Sequence, residues 1–591
     1  MSAGATITAA SRRPLRLLLC AAVAAALYLP ALGRPALWEP DEGRYAEIAR
    51  EMVLTHDYVT PHDDWVRYFE KPPLVYWAEA LSIRLLGVNE LAVRLPAALA
   101  TVAEVVVTAA LGEAMFGPGV GLAAAMVLGL SPLVFGFARF ATLDPALALF
   151  ITAALASFRA WACAPVGENE PRSLGAAGGR WFLLASAMTA AGTLTKGPVA
   201  LVLTATIALA WLLGERRAGA ILRMPWLGAI AVYLAIAAPW FVLAARRNSG
   251  FLHFFFIHEH VERYLSNVEH GWGPYFFVVV TIAGMWPWIC FVPMGVLQVI
   301  REQGQGRDAA AGRPAVDRAS LAFLLWWFGI ILVFFSIPRA KLGSYILPAL
   351  PPLAILAGYA LCNLPRTAKS AARNVFGAIA LVDLGATGVA WTAWRFYSAP
   401  TDSILLADAM VAAAALTVTS IAALAIVQRG RKPAAAIGAV ALGLLIALGL
   451  MMKARADAQP LGSYRDLARA IDPYLASGCE LASYRHFVQA LPFYTGHREA
   501  LVNYRGELAP FGRAPDARAS FIATDADLVQ LWRGRGCAVL IVNRSDLAHV
   551  RKMLGDDTRI IGCEGKKLAL YNRESAIQAS ASACDIAASA P

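Results

Sequence analysis

Residues 434–452 read AAAIGAVALGLLIALGLMM, an apolar run without one charged side chain, and the following Lys453-Ala454-Arg455-Ala456-Asp457 ends it abruptly. A run of about 20 such residues is long enough to cross a hydrocarbon layer of about 30 Å as a helix. Working back towards the N-terminus, comparable runs recur all the way to residue 14. By length and hydropathy they predict about thirteen membrane-spanning helices. The composition agrees: 58% of the 591 residues are apolar and only 16% are charged. A polar shell cannot be built from so few charges, so a bilayer is the expected solvent. The first run, near 14–32, follows Arg12, Arg13 and Arg16 and reads as an uncleaved signal anchor.

Lys and Arg favour the cytoplasmic side of short loops. Counting spans alternately puts Arg12/Arg13/Arg16, Arg216/Arg217/Arg223, Arg301/Arg307/Arg313/Arg318, Arg366/Lys369/Arg373 and Arg429/Arg431/Lys432 on one side. The loop at 33–90, the loop at 246–273 and everything after 453 then face the other, exported side. A net charge of +11 raises nucleic acid as a partner, but the excess is spread over loops rather than gathered in one basic domain, so none is expected. Of the eight cysteines, Cys479, Cys537, Cys563 and Cys584 lie in the exported tail, where one or two disulfides are compatible with an oxidising periplasm.

Past residue 453 the texture becomes mixed and polar. Helical spacing over 463–475, 525–532 and 545–554, with short strands at 480–483 and 538–542, predicts a small α/β domain over 453–575. The Ala/Ser-rich 576–591 reads as a disordered tail. Residues 1–452 form the expected membrane domain, including the 33–90 loop, which is far longer than a connection requires. Within that loop, 42–52 carries Tyr45, Ile48 and Met52 on one face with charges elsewhere, and 73–86 is a second apolar helix. Both are expected to lie at the membrane surface.

The segment Trp38-Glu39-Pro40-Asp41-Glu42-Gly43-Arg44-Tyr45 puts carboxylates at the mouth of the first of these helices. Asp41 could simply cap it, accepting from first-turn amides. A second cluster, Tyr68-Phe69-Glu70-Lys71-Pro72-Pro73, shares the loop and gives Asp41 a functional alternative. On the exported side, Arg44, Lys71, Lys196, Arg246, Arg247, Arg263, Arg339 and Lys341 all run against the topological bias. That set points to an anionic ligand.

The pattern DEGRYAEIAREM, then YFEKPPLVYW, then LAVRLPAAL, followed by Thr142-Leu143-Asp144-Pro145, Leu194-Thr195-Lys196-Gly197-Pro198 and Lys341-Leu342-Gly343-Ser344-Tyr345-Ile346-Leu347-Pro348, resembles the lipid A aminoarabinose transferases. These belong to the protein-O-mannosyltransferase-like superfamily with the GT-C fold. The resemblance covers nearly all of the membrane domain, in order; the tail shows no matching motif. It implies a polytopic α-helical GT-C membrane protein with a C-terminal periplasmic α/β domain, multi-pass in a bacterial inner membrane. The implied reaction is inverting transfer of 4-amino-4-deoxy-L-arabinose from undecaprenyl phosphate to a lipid A phosphate, giving polymyxin resistance.

The resemblance further implies that Asp41 is the catalytic carboxylate, that Arg44 and Lys71 hold phosphate, and that Tyr45 and Tyr68 shape the pocket. Lys196 and Arg263 would add phosphate contacts, and Asp144 and Tyr345 would join the substrate-binding set. No cofactor is required. A divalent metal such as zinc, on Glu70 and His258, is the one addition considered, and His258-Glu259-His260 lacks the i, i+4 spacing of a helical histidine pair. Gly117-Pro118-Gly119-Val120-Gly121 follows no strand and opens an apolar run, so a dinucleotide fold is not expected. Two other readings stay open: a protein O-mannosyltransferase-type enzyme using another polyprenyl-phosphate sugar, and a transporter of lipid-linked sugar, for which the usual paired halves are not evident.

Overall fold

The structure, a computed structural model, describes residues 12–164, 179–262, 272–302, 318–364, 369–396, 400–430, 432–512, 515–555 and 558–573. The expected tail 576–591, Cys584, Arg263 and much of the basic cluster at Arg301–Arg318 lie outside them. The chain divides into two compact units. One holds Pro96–Ala454 with the segment up to Pro30; the other holds Ala31–Leu95 together with the chain from Arg455 onward.

In the first unit, eight helices among the described residues are long and apolar enough to cross a bilayer, and a bent pair, Phe276–Gly284 with Trp288–Glu302, brings the number to nine. Pro118–Gly129, Val199–Gly214 and Arg13–Tyr28 are apolar but shorter. Helix Gly343–Asn363 is central, with 89% of its apolar window buried, and Ile404–Gln428 is peripheral, with 17%. Aromatic side chains fill the interior: Trp161, Trp211 and Trp327 are fully buried. Arg139 lies at the C-terminal end of Arg13–Tyr28 and donates to the carbonyls of Tyr28 and Pro30, both at 2.6 Å. It thereby satisfies acceptors that a helix end leaves without partners.

In the second unit, a hairpin of β1 (His62–Asp63) and β2 (Val66–Arg67) precedes a sheet of six strands: β3 (Glu480–Tyr484), β4 (Glu499–Val502), β5 (Phe521–Ile522), β6 (Ala538–Asn543), β7 (Arg559–Glu564) and β8 (Lys567–Tyr571). Their order is β5-β4-β3-β6-β8-β7. The first four are parallel, and β8 and β7 add an antiparallel edge. Side chains of a strand alternate between faces, so Leu481, Val539 and Ile541 pack with helix Arg465–Ala476 through Leu467 and Ile471. Ala482, Tyr484, Leu540 and Val542 face Trp532 and Val550 of helices Asp525–Arg533 and Leu547–Leu554. Covered faces on both sides are what a parallel sheet demands. A disulfide joins Cys479 to Cys537 at the starts of β3 and β6, across 58 residues of sequence.

The 33–90 loop clusters with this sheet domain rather than with the membrane helices to which its sequence position assigned it. Helices Asp41–Thr55 and Leu74–Leu86 form where spacing predicted them. The first, however, does not turn a charged face to water as a surface helix would. Glu42, Arg44, Glu47, Arg50 and Glu51 are all buried. The reason is pairing. Arg50 grips Glu47 through two bonds of 2.7 Å, and Trp65 N donates to Glu51 at 2.9 Å. Glu42 accepts from Arg94 at 2.7 and 2.8 Å and from Arg455 at 2.7 Å. Arg94 is wholly buried and donates also to the carbonyls of Leu32, Pro35 and Ala36. Gly43 permits close approach to the tail, since a Cβ there would sit 2.6 Å from the Ala490 nitrogen.

Two predictions follow from these buried charges. Removing one member of a buried pair strands the other, at a cost of about 3–5 kcal/mol. Arg94→Met therefore destabilises the Ala31–Leu95 segment by about that amount, read as a lower protease-concentration threshold for cleavage, and adding Glu42→Gln restores part of the loss. The second concerns pH. Burial pushes the carboxyl of Glu39 up to about 7 and that of Glu499 up to about 8, from 4.5. The folded unit then binds protons that the unfolded chain releases, so stability falls as pH rises towards 8. His486, pushed down to about 3 by burial, acts in the opposite sense, but only below its ordinary 6.5. Lys567, lowered to about 8, acts above that value. Intrinsic-rate-corrected hydrogen exchange of β3 and β4 should therefore show less protection at pH 8 than at pH 6.5. Glu499→Gln should flatten the difference; equal protection in the unsubstituted protein would refute it.

Candidate active site

The motif around Asp41 is assembled by the start of its helix. Pro40 occupies the cap position and Asp41 is the first helical residue, with no side-chain capping bond at that end. The capping role open to Asp41 in the sequence is thus not the one it takes. Its carboxylate, 36% exposed, instead lies 3.5 Å from Nη1 of Arg44, one turn along. The Trp38 amide at this helix mouth donates to Glu42 at 2.9 Å.

Arg44 is the centre of the cluster. Its Nη1 approaches the Tyr68 hydroxyl at 3.4 Å, Nε donates to Gln489 Oε1 at 2.7 Å, and Nη2 pairs with Glu507 at 2.7 Å. Burial acts against its charge, but Tyr68, Glu507 and Tyr45 outweigh it and hold the guanidinium well above its ordinary value. Tyr45 is buried, its ring 5.8 Å from that of Tyr76. Lys71 sits beside Glu70, its Nζ 3.1 Å from the Glu70 carbonyl and 3.7 Å from the carboxylate. Pro73 then caps helix Leu74–Leu86, fixing the direction in which the chain leaves the cluster. Glu39 accepts from the amides of Gln489 and Ala490 at 3.1 and 2.6 Å. The Asp41, Arg44 and Tyr68 expected from the motifs are therefore brought together, with Tyr45 and Lys71 on the same helix and loop.

Asp144, Lys196 and Tyr345 form their own cluster within the membrane unit. Lys196 ends helix Gly179–Lys196 and pairs with Asp144, which begins helix Asp144–Ala162. The Lys196 ammonium lies 4.0 Å from the Tyr345 ring centroid. A cation over a ring is attracted by its quadrupole, so the lysine is held between an acid and an aromatic face. In the same unit, Arg339 and Lys341 line an otherwise apolar cavity of about 750 Å³ with Trp272, Leu332 and Ile337.

Among the described residues, no group of three or more His, Cys, Asp or Glu side chains is placed to hold a metal ion. The two residues considered for one are engaged otherwise: His258 Nδ1 lies 2.9 Å from Glu262, and Glu70 is beside Lys71. Sequence reading missed Gln489 and Glu507, which come from the tail. It also missed Arg94 as a partner of Glu42, although an arginine in the apolar run Leu91–Ala100 was a visible anomaly.

Comparison with known proteins supports these motifs. The model of the dolichyl-phosphate-mannose-protein mannosyltransferases matches residues 14–255, and that of the aminoarabinose transferase C-terminal domain matches 467–570, the tail in which no motif was legible. Undecaprenyl phosphate-alpha-4-amino-4-deoxy-L-arabinose arabinosyl transferases are similar: that of Edwardsiella ictaluri is 35% identical over 56% of this chain and 57% of its own length. That of Pseudomonas aeruginosa strain UCBPP-PA14 is 33% identical over 61% of each. These matches span less than two thirds of the relatives' length. The solved structure of ArnT from Cupriavidus metallidurans bound to undecaprenyl phosphate superposes with a TM-score of 0.81 at 26% identity, over 94% of this chain and 98% of that one. The archaeal oligosaccharyltransferase AglB from Archaeoglobus fulgidus, at 11% identity and a TM-score of 0.52, shares the fold alone. Motifs in order, two family models in order and a structural match over 94% of the chain agree: this membrane protein has the GT-C fold and is similar, along most of its length, to the aminoarabinose transferases.

Proposed function

We propose that the chain is an inverting glycosyltransferase that moves 4-amino-4-deoxy-L-arabinose from undecaprenyl phosphate to a lipid A phosphate, in a bacterial inner membrane, with the Asp41 cluster and the C-terminal domain facing the periplasm. The observation that carries the reading is the Asp41–Arg44–Tyr68 cluster, built from the motif shared with the family. The tail's match to the aminoarabinose transferase domain favours this sugar over mannose. Basic clusters on the opposite side and a disulfide in the tail support the orientation.

In this reaction a phosphate oxygen of the acceptor attacks the anomeric carbon from the side opposite the donor phosphate. The bond from that carbon to the donor oxygen breaks, and undecaprenyl phosphate leaves with the electron pair. Arg44 and Lys71 receive the leaving phosphate, each charged hydrogen bond contributing about 1.5–3 kcal/mol. Asp41, beside Arg44 yet open to solvent, takes the proton when the acceptor phosphate arrives as its monoanion, and its charge faces the cationic character growing at the sugar carbon. Lys196, held by Asp144 and Tyr345 within the membrane unit, and Arg263 are further phosphate holders that the resemblance implies. The product masks one negative charge on lipid A and adds an amine, so the surface attracts cationic peptides less, each basic contact with an anionic membrane being worth about 1 kcal/mol.

Asp41→Asn keeps the size and hydrogen-bonding shape of the side chain but not its charge. It should lower transfer by roughly 100-fold or more while the protein still inserts and folds. The check is mass spectrometry of lipid A from cells expressing either form at matched levels, with a donor supply. The parent should add aminoarabinose and raise polymyxin resistance, and the variant should do neither. Full modification by Asp41→Asn would remove Asp41 from the chemistry. Unmodified lipid A in both strains would favour another polyprenyl-phosphate sugar and acceptor.

A further inference from the structure

The partners of Arg44 differ in kind. On its buried side, Nε donates to Gln489, a neutral amide only 8% exposed. Gln489 is itself fixed, since its own backbone amide donates to Glu39. On its open side, Nη2 pairs with Glu507, whose side chain is 40% exposed and sits in the single turn Gly506–Leu508. The two Nη1 contacts, to Tyr68 and Asp41, are longer, at 3.4 and 3.5 Å.

An arginine presents its donors in a rigid planar fork that matches a phosphate. A neutral partner on the inner edge orients that fork without reducing its charge. A carboxylate on the outer edge competes with any phosphate for the same N–H groups. Two anions crowded on one guanidinium repel each other, and the one with fewer charge-assisted bonds and readier access to water leaves.

We propose that the tail sets the state of Arg44 through two residues: Gln489 is a positioning residue that fixes the guanidinium, and Glu507 is an exchangeable counter-ion that keeps the donor phosphate's place until the donor displaces it. The proposal rests on the reading of Arg44 as a phosphate holder. It gives the C-terminal domain a part in donor binding, because both residues reach the helix of the Asp41 motif from more than 400 positions along the chain.

The test uses the full chain in lipid nanodiscs with undecaprenyl phosphate as the probe, and the KM for the sugar-charged donor as a second readout. Glu507→Gln should bind the probe more tightly, by roughly three- to tenfold, with KM falling in parallel, and Glu507→Ala should do the same if the glutamine variant folds poorly. Glu507→Asp, which keeps the charge, should stay near the parent. Gln489→Ala should weaken binding and raise KM. Gln489→Glu should also weaken it, although it can accept the same bond, because it adds a fixed competing charge; a merely structural residue would tolerate it. Unchanged or weaker binding in both Glu507→Gln and Glu507→Ala overturns the proposal. If Arg44→Ala binds the probe as the parent does, the phosphate reading itself fails; if Arg44→Ala loses binding while the Glu507 variants gain none, only the exchange fails.

Discussion

A charge taken out of water must be met by an opposite charge or a full set of hydrogen bonds, and the helix Asp41–Thr55 buries five ionisable side chains, of which Glu42, Arg44, Glu47 and Arg50 are met by opposite charges while burial pushes the Glu51 carboxyl well up, towards its neutral form. That constraint organises the second unit. Glu42 is met by Arg94 and Arg455, from the two ends of the chain segments that form the unit. Arg44 is met by Gln489 and Glu507 of the tail. Glu39, just before the helix, is met by two tail amides. The 33–90 loop is therefore half of a domain whose other half follows the last membrane span. Asp41, by contrast, keeps a partly exposed carboxylate next to a fixed arginine, and the pairing around it holds that geometry.

Much of this was legible in the sequence because it is local. Apolar runs revealed the membrane unit, helical spacing revealed both loop helices, and strand–helix alternation over 480–554 revealed the α/β domain. The order of motifs carried the resemblance to the aminoarabinose transferases. What was not legible depends on partners far along the chain. Nothing in DEGRY says that its glycine lies against Ala490, or that its glutamate waits for Arg94. Charges spaced around a helix read as a wet face when their partners are out of sight, so a buried helix was taken for a surface one. The difference between about thirteen expected spans and the eight or nine long apolar helices among the described residues has a related origin. Hydropathy scores composition, and helices such as Pro118–Gly129 are apolar enough to count but too short to cross a bilayer alone.

The membrane unit contains a smaller instance of the same principle. Lys196 is balanced by Asp144 and by the face of Tyr345 rather than left to seek water. Ionisable groups at membrane depth are costly and are placed where something pairs with them. The cavity with Arg339 and Lys341 has a mixed character, mostly apolar with Ser336 and two cations.

The proposed reaction breaks the bond between a sugar and undecaprenyl phosphate. Its most direct test gives the purified protein undecaprenyl phosphate charged with 4-amino-4-deoxy-L-arabinose, with lipid A present, and measures free undecaprenyl phosphate together with sugar-bearing lipid A. The account predicts that both appear together, in equal amounts, and only with acceptor present. Movement of the intact charged lipid across the bilayer without release of undecaprenyl phosphate would contradict it and identify a transporter instead.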